Sequence, residues 1–207
     1  MPFLSGEDMT RAYALAADEN GWFEQAAAGY EAALLADPAD LEATVNLTVL
    51  YWQAAGHCAG AAGHGAHAAG HCRCDCAAGH CTCGAGSMPA EFSSHAGQRL
   101  HELLESASRR FADRAEVCFW NKYIAAAESG EPLEPGKCLQ LMRDHPDYIE
   151  PAFVVFAESA CEEAEPEAMR LLADCSERPT ARGRYVTSII SAALRRQRWR
   201  GAYRASA

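Results

Sequence analysis

The chain is short of several things at once, and each shortage narrows what it can be. β-Branched residues are sparse beside abundant alanine, which argues for an all-α fold, and 22% charged residues give an ordinary solvent-facing surface. No run approaches the ~20 apolar residues that cross a bilayer. The opening MPFLSGEDM carries neither the basic nor the apolar stretch of a secretory signal. The expectation is a cytoplasmic protein without membrane contact, where thiols stay reduced and clustered cysteines more often mean metal than disulfide. Catalytic signatures are missing too: there is no G-x-S-x-G, P-loop, G-x-G-x-x-G or H-E-x-x-H. No enzyme and no organic cofactor are expected.

Charge is missing in opposite senses at the two ends. Residues 1–53 hold nine acids and only Arg11 as a base, whereas from Arg178 onward there are eight arginines and no acid. The net charge of −10 argues against a nucleic-acid partner. The arginine run reads first as a solvated terminal helix or as the partner of an acidic neighbour.

What is concentrated is cysteine and histidine. Six of the ten cysteines and five of the eight histidines fall between His57 and Cys83. The tetrapeptide AAGH recurs at 54–57, 61–64, 68–71 and 77–80, and two copies extend to H-C-x-C, His71–Cys74 and His80–Cys83, with Cys76 between them. Thiolate and neutral imidazole are ligands for zinc and softer ions, so zinc or copper(I) is expected, with nickel a further candidate. The ligand set read from the pattern is Cys72, Cys74, Cys76, Cys81 and Cys83 with His71 and His80; His57, Cys58, His64 and His67 are secondary. No C-x₂-C pair exists, so this is not a zinc finger. The C-x-C units resemble metallothioneins in composition, over about residues 71–83.

Ordering a residue costs roughly 1–2 kcal/mol, and a structural zinc site returns on the order of 10–16 kcal/mol. One or two ions therefore suffice for a knot near Cys72–Cys83 and not for the whole stretch, so the segment from His57 to His67 is expected to stay mobile. The competing reading is a low-complexity expansion without a role, which a fold tolerates because loop closure costs only about 0.6 kcal/mol per doubling of length. That reading accounts for the alanines and glycines and leaves the six thiols unexplained.

On either side the apolar residues recur at helical spacing. Ala12, Ala16 and Ala17 precede Phe23, Ala26, Ala27, Tyr30, Ala33 and Leu34, with a break at Asn20-Gly21 and an end at Asp37-Pro38. A third helix opens near Leu41. After the Cys/His segment and the linker Gly84–Pro89, a helix resumes around Ser94 with Leu100, Leu103, Leu104, Ala107 and Phe111 on one face. Further helices are expected at AEVCFWNKYIAAAESG, from Pro135 to His145, over Glu150–Cys175 with a break at Glu165-Pro166, and from Arg184 to Arg200. The last carries the stripe Tyr185, Val186, Ile189, Ile190, Ala193 and Leu194. These stripes fit an irregular helical bundle as well as an ordered array.

The run NGWFEQAAAGYEAALLADP, with Gly21, Phe23, Ala26, Tyr30, Ala33 and Pro38 at their offsets, resembles the second half of a tetratricopeptide (TPR) repeat. The family period of about 34 residues puts the next repeat near Leu41, where LEATVNLTVLYWQAAG is similar to a first helix, with Leu47 and Tyr51 at packing positions. The resemblance implies an α-solenoid of helical hairpins, its second repeat split by the Cys/His-rich insertion and its end closed by a C-terminal capping helix. The implied organisation is 1–56 for the first repeat and the next helix, 57–92 for insertion and linker, and 93–207 for the rest. It also implies a groove lined by first helices, in which Arg11, Leu15, Asp18, Glu42, Val45, Val49, Trp52, Glu116, Phe119 and Tyr123 would meet a protein or peptide. The Lys/Asn clamp of some members is absent, since Leu15 and Val49 stand where Asn would be expected.

The remaining chemistry-bearing residues read as structural. Cys118, Cys138, Cys161 and Cys175 lie singly on helices, as core cysteines do. His145 sits at a helix end, His95 and His101 are six apart and off a common face, and Trp22, Trp52, Trp120 and Trp199 read as core or groove aromatics. Two functions are then in play: a TPR-type scaffold with a metal-binding loop that buffers, senses or delivers metal or couples it to protein interaction, and a plain TPR interaction adaptor whose loop is incidental.

Overall fold

The computed structural model describes residues 6–61, 90–159 and 162–205. All regular structure among them is helical, and no strand is present. The helices are α1 (Gly6–Glu19), α2 (Phe23–Ala36), α3 (Leu41–Ala61), α4 (Ala90–Arg110), α5 (Ala115–Ser129), α6 (Pro135–Asp144), α7 (Ala152–Ser159), α8 (Glu165–Glu177) and α9 (Ala181–Ala205), with a short 3₁₀ turn at Glu162–Ala164. No described helix is long and apolar enough to cross a membrane.

The punctuation works as the residue types dictate. Gly21 adopts φ +77 between α1 and α2, a left-handed conformation that side chains resist. Asp40 caps α3 through its carboxylate, which accepts from the Ala43 N–H at 2.9 Å. Thr180 does the same for α9, its hydroxyl accepting from the Gly183 N–H at 3.1 Å. The break expected at Glu165-Pro166 falls where α8 begins: Pro166 sits in its first turn, where its missing N–H has no partner to lose.

The first two hairpins are close-packed pairs. α1 and α2 approach so tightly that a Cβ on Gly29 would stand 2.8 Å from the Ala14 methyl. α4 runs back along α3: the Arg110 guanidinium reaches the Pro38 carbonyl at one end, and a Cβ on Gly97 would lie 3.9 Å from that of Ala55 farther along. This register sets the end of α3, Ala61, beside the start of α4, Ala90.

The later helices depart from simple pairing. α6 packs on α7, α5 packs on α3 and α4, and α9 packs on α8, α7 and also back on α3. Two cores result. One gathers Phe23, Tyr30, Leu47, Leu50 and Leu100 from α1–α4. The other gathers Val45, Val49, Phe119, Trp120, Phe153 and Ile190 from α3, α5, α7 and α9. α3 belongs to both, with buried side chains on two faces. The expected α9 stripe is confirmed residue by residue: Val186, Ile189, Ile190 and Ala193 are buried, and Tyr185 and Leu194 are half-buried against the same core.

Candidate functional site

The Cys/His ligand set falls largely outside the described residues. His57 and Cys58 belong to the last turns of α3. His64, His67, His71, Cys72, Cys74, Cys76, His80, Cys81 and Cys83, and the knot expected around them, lie outside the described residues. What the fold supplies is their mounting. The segment leaves from Ala61 and returns at Ala90, at one end of the antiparallel α3/α4 pair. Among the described residues no three His, Cys, Asp or Glu side chains come together as a metal site requires.

The ten residues expected to line a groove divide. Arg11 is exposed and 3.7 Å from Asp40. Glu42 lies 3.9 Å from Arg178, Glu116 is 3.2 Å from Arg114, and Leu15 is half-buried. Trp52 and Tyr123 are half-buried, their rings meeting edge to face at 5.9 Å. Asp18, Val45, Val49 and Phe119 are not open to a partner: all are 2% exposed or less. The physical reason is closure by later helices: α9 packs on α3 and sets Arg184 against Asp18, and Phe153 of α7 meets the Phe119 ring at 5.8 Å. The tryptophans divide too. Trp120 is buried and Trp52 half-buried, whereas Trp22 and Trp199 are 56% and 81% exposed rather than core.

The N-terminal end of α9 is held by polar groups. The Asp18 carboxylate accepts from the Ala181 N–H at 2.6 Å and the Tyr30 hydroxyl at 3.0 Å, and lies 3.2 Å from the Arg184 guanidinium. Arg184 also donates to the carbonyls of Asp18 and Pro179. The Gln53 amide donates to the Ala181 carbonyl at 2.9 Å. Burial raises the pKa of Asp18 above its ordinary value and lowers that of Arg184, so desolvation outweighs their mutual attraction in both.

A second buried carboxylate, Glu150, accepts from the Trp120 indole at 2.9 Å and the Tyr148 hydroxyl at 2.8 Å, and pairs with Arg182 at 3.4 Å. Beside it the hydroxyl oxygens of Tyr123 and Tyr185 are 2.6 Å apart within a cluster of edge-to-face rings. Burial pushes the Tyr185 phenol up to about 12. These groups are tied to one another and support packing rather than chemistry. Cys138 is buried as expected, Cys118 and Cys175 are partly so, and Cys161 lies outside the described residues. His145 caps α6, its N–H bonded to the Leu141 carbonyl. His95 and His101 are exposed on α4.

Sequence reading missed an open groove of about 310 Å³ between α2, α3 and α4. Its floor includes Tyr51 and Phe92, whose ring centroids are 5.9 Å apart. Its rims carry Glu24 and Glu31 on one side and Glu91 with Arg99 on the other. Glu31 accepts from the Tyr51 hydroxyl at 2.8 Å and sits 3.4 Å from Arg99. The available signal was the acid excess of the first 53 residues, which fixes the sign of this surface but not its shape.

Set against known proteins, the chain matches no family model, no curated protein and no solved structure.

Proposed function

We propose that this chain is a metal-binding helical scaffold, not an enzyme: a TPR-like framework that presents the Cys/His segment as a zinc- or copper-binding loop for metal buffering, sensing or delivery, or for metal-modulated protein interaction. One observation carries the reading. Eleven candidate ligands lie within the 27 residues from His57 to Cys83, spanning the last turns of α3 and the stretch that joins it to its antiparallel partner α4. A loop so mounted gathers an ion without straining the helices that carry it, and its closure cost is small. The reading also draws on the reduced-thiol setting expected of a cytoplasmic protein. The TPR-like solenoid draws on the α1/α2 and α3/α4 hairpins, with α9 acting as closure over the inner face. A protein partner on that face would meet Arg11, Leu15, Glu42, Trp52, Glu116 and Tyr123, the members of the set that α9 leaves at least partly accessible.

Elemental mass spectrometry of untagged protein purified without oxygen tests the proposal. One or more equivalents of zinc or copper are expected, lost when Cys72, Cys74, Cys76, Cys81 and Cys83 are changed to serine. Absence of metal in both, with no uptake of zinc or copper(I) on titration, would leave a plain interaction adaptor with an incidental loop.

A further inference from the structure

We propose that copies of this chain associate head to tail, the arginine-bearing C-terminal half of α9 of one copy docking in the acidic aromatic groove between α2, α3 and α4 of the next. Two separate observations meet here. The first is an arm with exposed cations. Among the residues of α9 up to Trp199, the last buried one is Ala193, yet the helix runs on to Ala205. Arg195, Arg198 and Trp199, at spacings of three and four, lie on one face of it. All three are exposed, Trp199 by 81%, and neither arginine has an ion pair among the described residues. Arg196 is different: it donates to the Ala157 carbonyl at 3.1 Å and fixes where the arm leaves the body. The sequence continues with Arg200 and Arg204 and contains no acid.

The second observation is the groove. Three carboxylates, Glu24, Glu31 and Glu91, face one arginine, Arg99, which is already engaged with Glu31. The rings of Tyr51 and Phe92 lie within it. Carboxylate rims over aromatic faces suit guanidinium groups, which pair with the one and stack on the other. A volume of about 310 Å³ is ample for an indole or an arginine head. The fold places the two features apart: the arm leaves at the C-terminal end of α7, and the groove lies between α2 and α4, so the occupant comes from a second copy. Such a contact is heterologous and propagates unless its rotation closes a ring. The alternative occupant of the arm, a nucleic acid, would have to approach a protein of net charge −10 and would leave the groove unexplained.

Sedimentation velocity tests this, in the variant with the five clustered cysteines changed to serine so that neither thiols nor metal bridge copies. A contact this small is weak, so the protein is carried to roughly 0.5 mM at low salt. Concentration-dependent association is expected, weakened by salt. It should weaken at least about tenfold in the arm variant Arg195→Glu/Arg198→Glu and equally in the groove variant Glu24→Lys/Glu91→Lys. Mixing the two variants should restore association, since each retains what the other lacks, and this shows that both remain folded. Monomer at every concentration overturns the proposal. So does association that either variant leaves unchanged, or a mixture that stays dissociated. A monomer that instead binds a 20-nucleotide single strand through the arm would assign the arm to nucleic acid and overturn it as well.

Discussion

Asp18 is where the first helix holds the last, and changing it to alanine is the sharpest test of how the fold closes. The carboxylate is fully buried and serves three donors from two helices: the Tyr30 hydroxyl of α2, and from α9 the Ala181 N–H that opens it and the Arg184 guanidinium one turn on. Asp18→Ala strands a buried hydroxyl and a buried N–H, each worth about 1–3 kcal/mol, and leaves Arg184 with carbonyl acceptors alone. Set against this is relief from holding a charge out of water. Breaking one side of such a pair costs about 3–5 kcal/mol on balance. For a chain of this size that lowers Tm by roughly 6–20 °C, read by circular dichroism at pH 7. Asp18→Asn keeps an acceptor for Ala181 and should lose less. The pH dependence has a definite sign. Burial raises the folded pKa of Asp18 above its ordinary 3.8, so the folded chain binds this proton more tightly than the unfolded one. This group's contribution to stability therefore falls as pH rises from about 3.8 through the folded value. The gap between wild type and Asp18→Ala should be wider near pH 4 than at pH 7. A loss under about 1 kcal/mol at both would refute the closure argument.

Other consequences are as direct. Asn46 is 1% exposed and neither polar atom of its amide is hydrogen-bonded, so Asn46→Leu should raise stability by about 1–3 kcal/mol in urea titration; a loss would mean the amide has a partner. Gly29→Ala drives a methyl to 2.8 Å from the Ala14 Cβ and should cost about 1–3 kcal/mol, whereas Gly136→Ala, with nothing within 4 Å, should be close to neutral. Burial lifts the thiols of Cys138 and Cys175 to about 11, leaving almost no thiolate at pH 8. In the five-serine variant, mass-resolved iodoacetamide labelling should be slow at both until the chain is unfolded; rapid native labelling of Cys138 would show that α6 opens.

The helices were legible because the pattern that makes them is local. Apolar spacing, Gly21, the Asp37-Pro38 stop and the stripe from Tyr185 to Leu194 each act within a turn or two, and α1, α2 and α9 formed where they pointed. The inner face was not legible, because what covers it lies about 140 residues away along the chain. Val45 and Val49 look like groove residues on α3 considered alone, and they become core only when α9 returns across them. The same holds for pairing: α6 chose α7 over α5, a choice made by tertiary packing that hairpin periodicity does not encode. Trp199 misled for a related reason. Its spacing from Leu194 continues the helix, but at 81% exposed it stands clear of the core that Ala193 and Leu194 still touch.

The segregation of charge along the chain takes on meaning once the helices are in place. Arg178, Arg182 and Arg184 meet Glu42, Glu150 and Asp18, so the acid-free end of the chain supplies cations to helices that have almost none of their own. The three pairs are not equal. Arg178 and Glu42 are open to solvent at 3.9 Å and contribute little, while the Glu150 and Asp18 pairs are desolvated and hydrogen-bonded to neighbours. Desolvated pairs do little for net stability but penalise every misregistered docking, because a one-turn slip of α9 would bury Asp18 and Glu150 without their arginines. The apolar stripe of α9 drives it onto α3 and α7, and the two carboxylates fix where along its length it stops. Arg195 and Arg198 lie beyond the last of these partners, exposed and without an ion pair among the described residues.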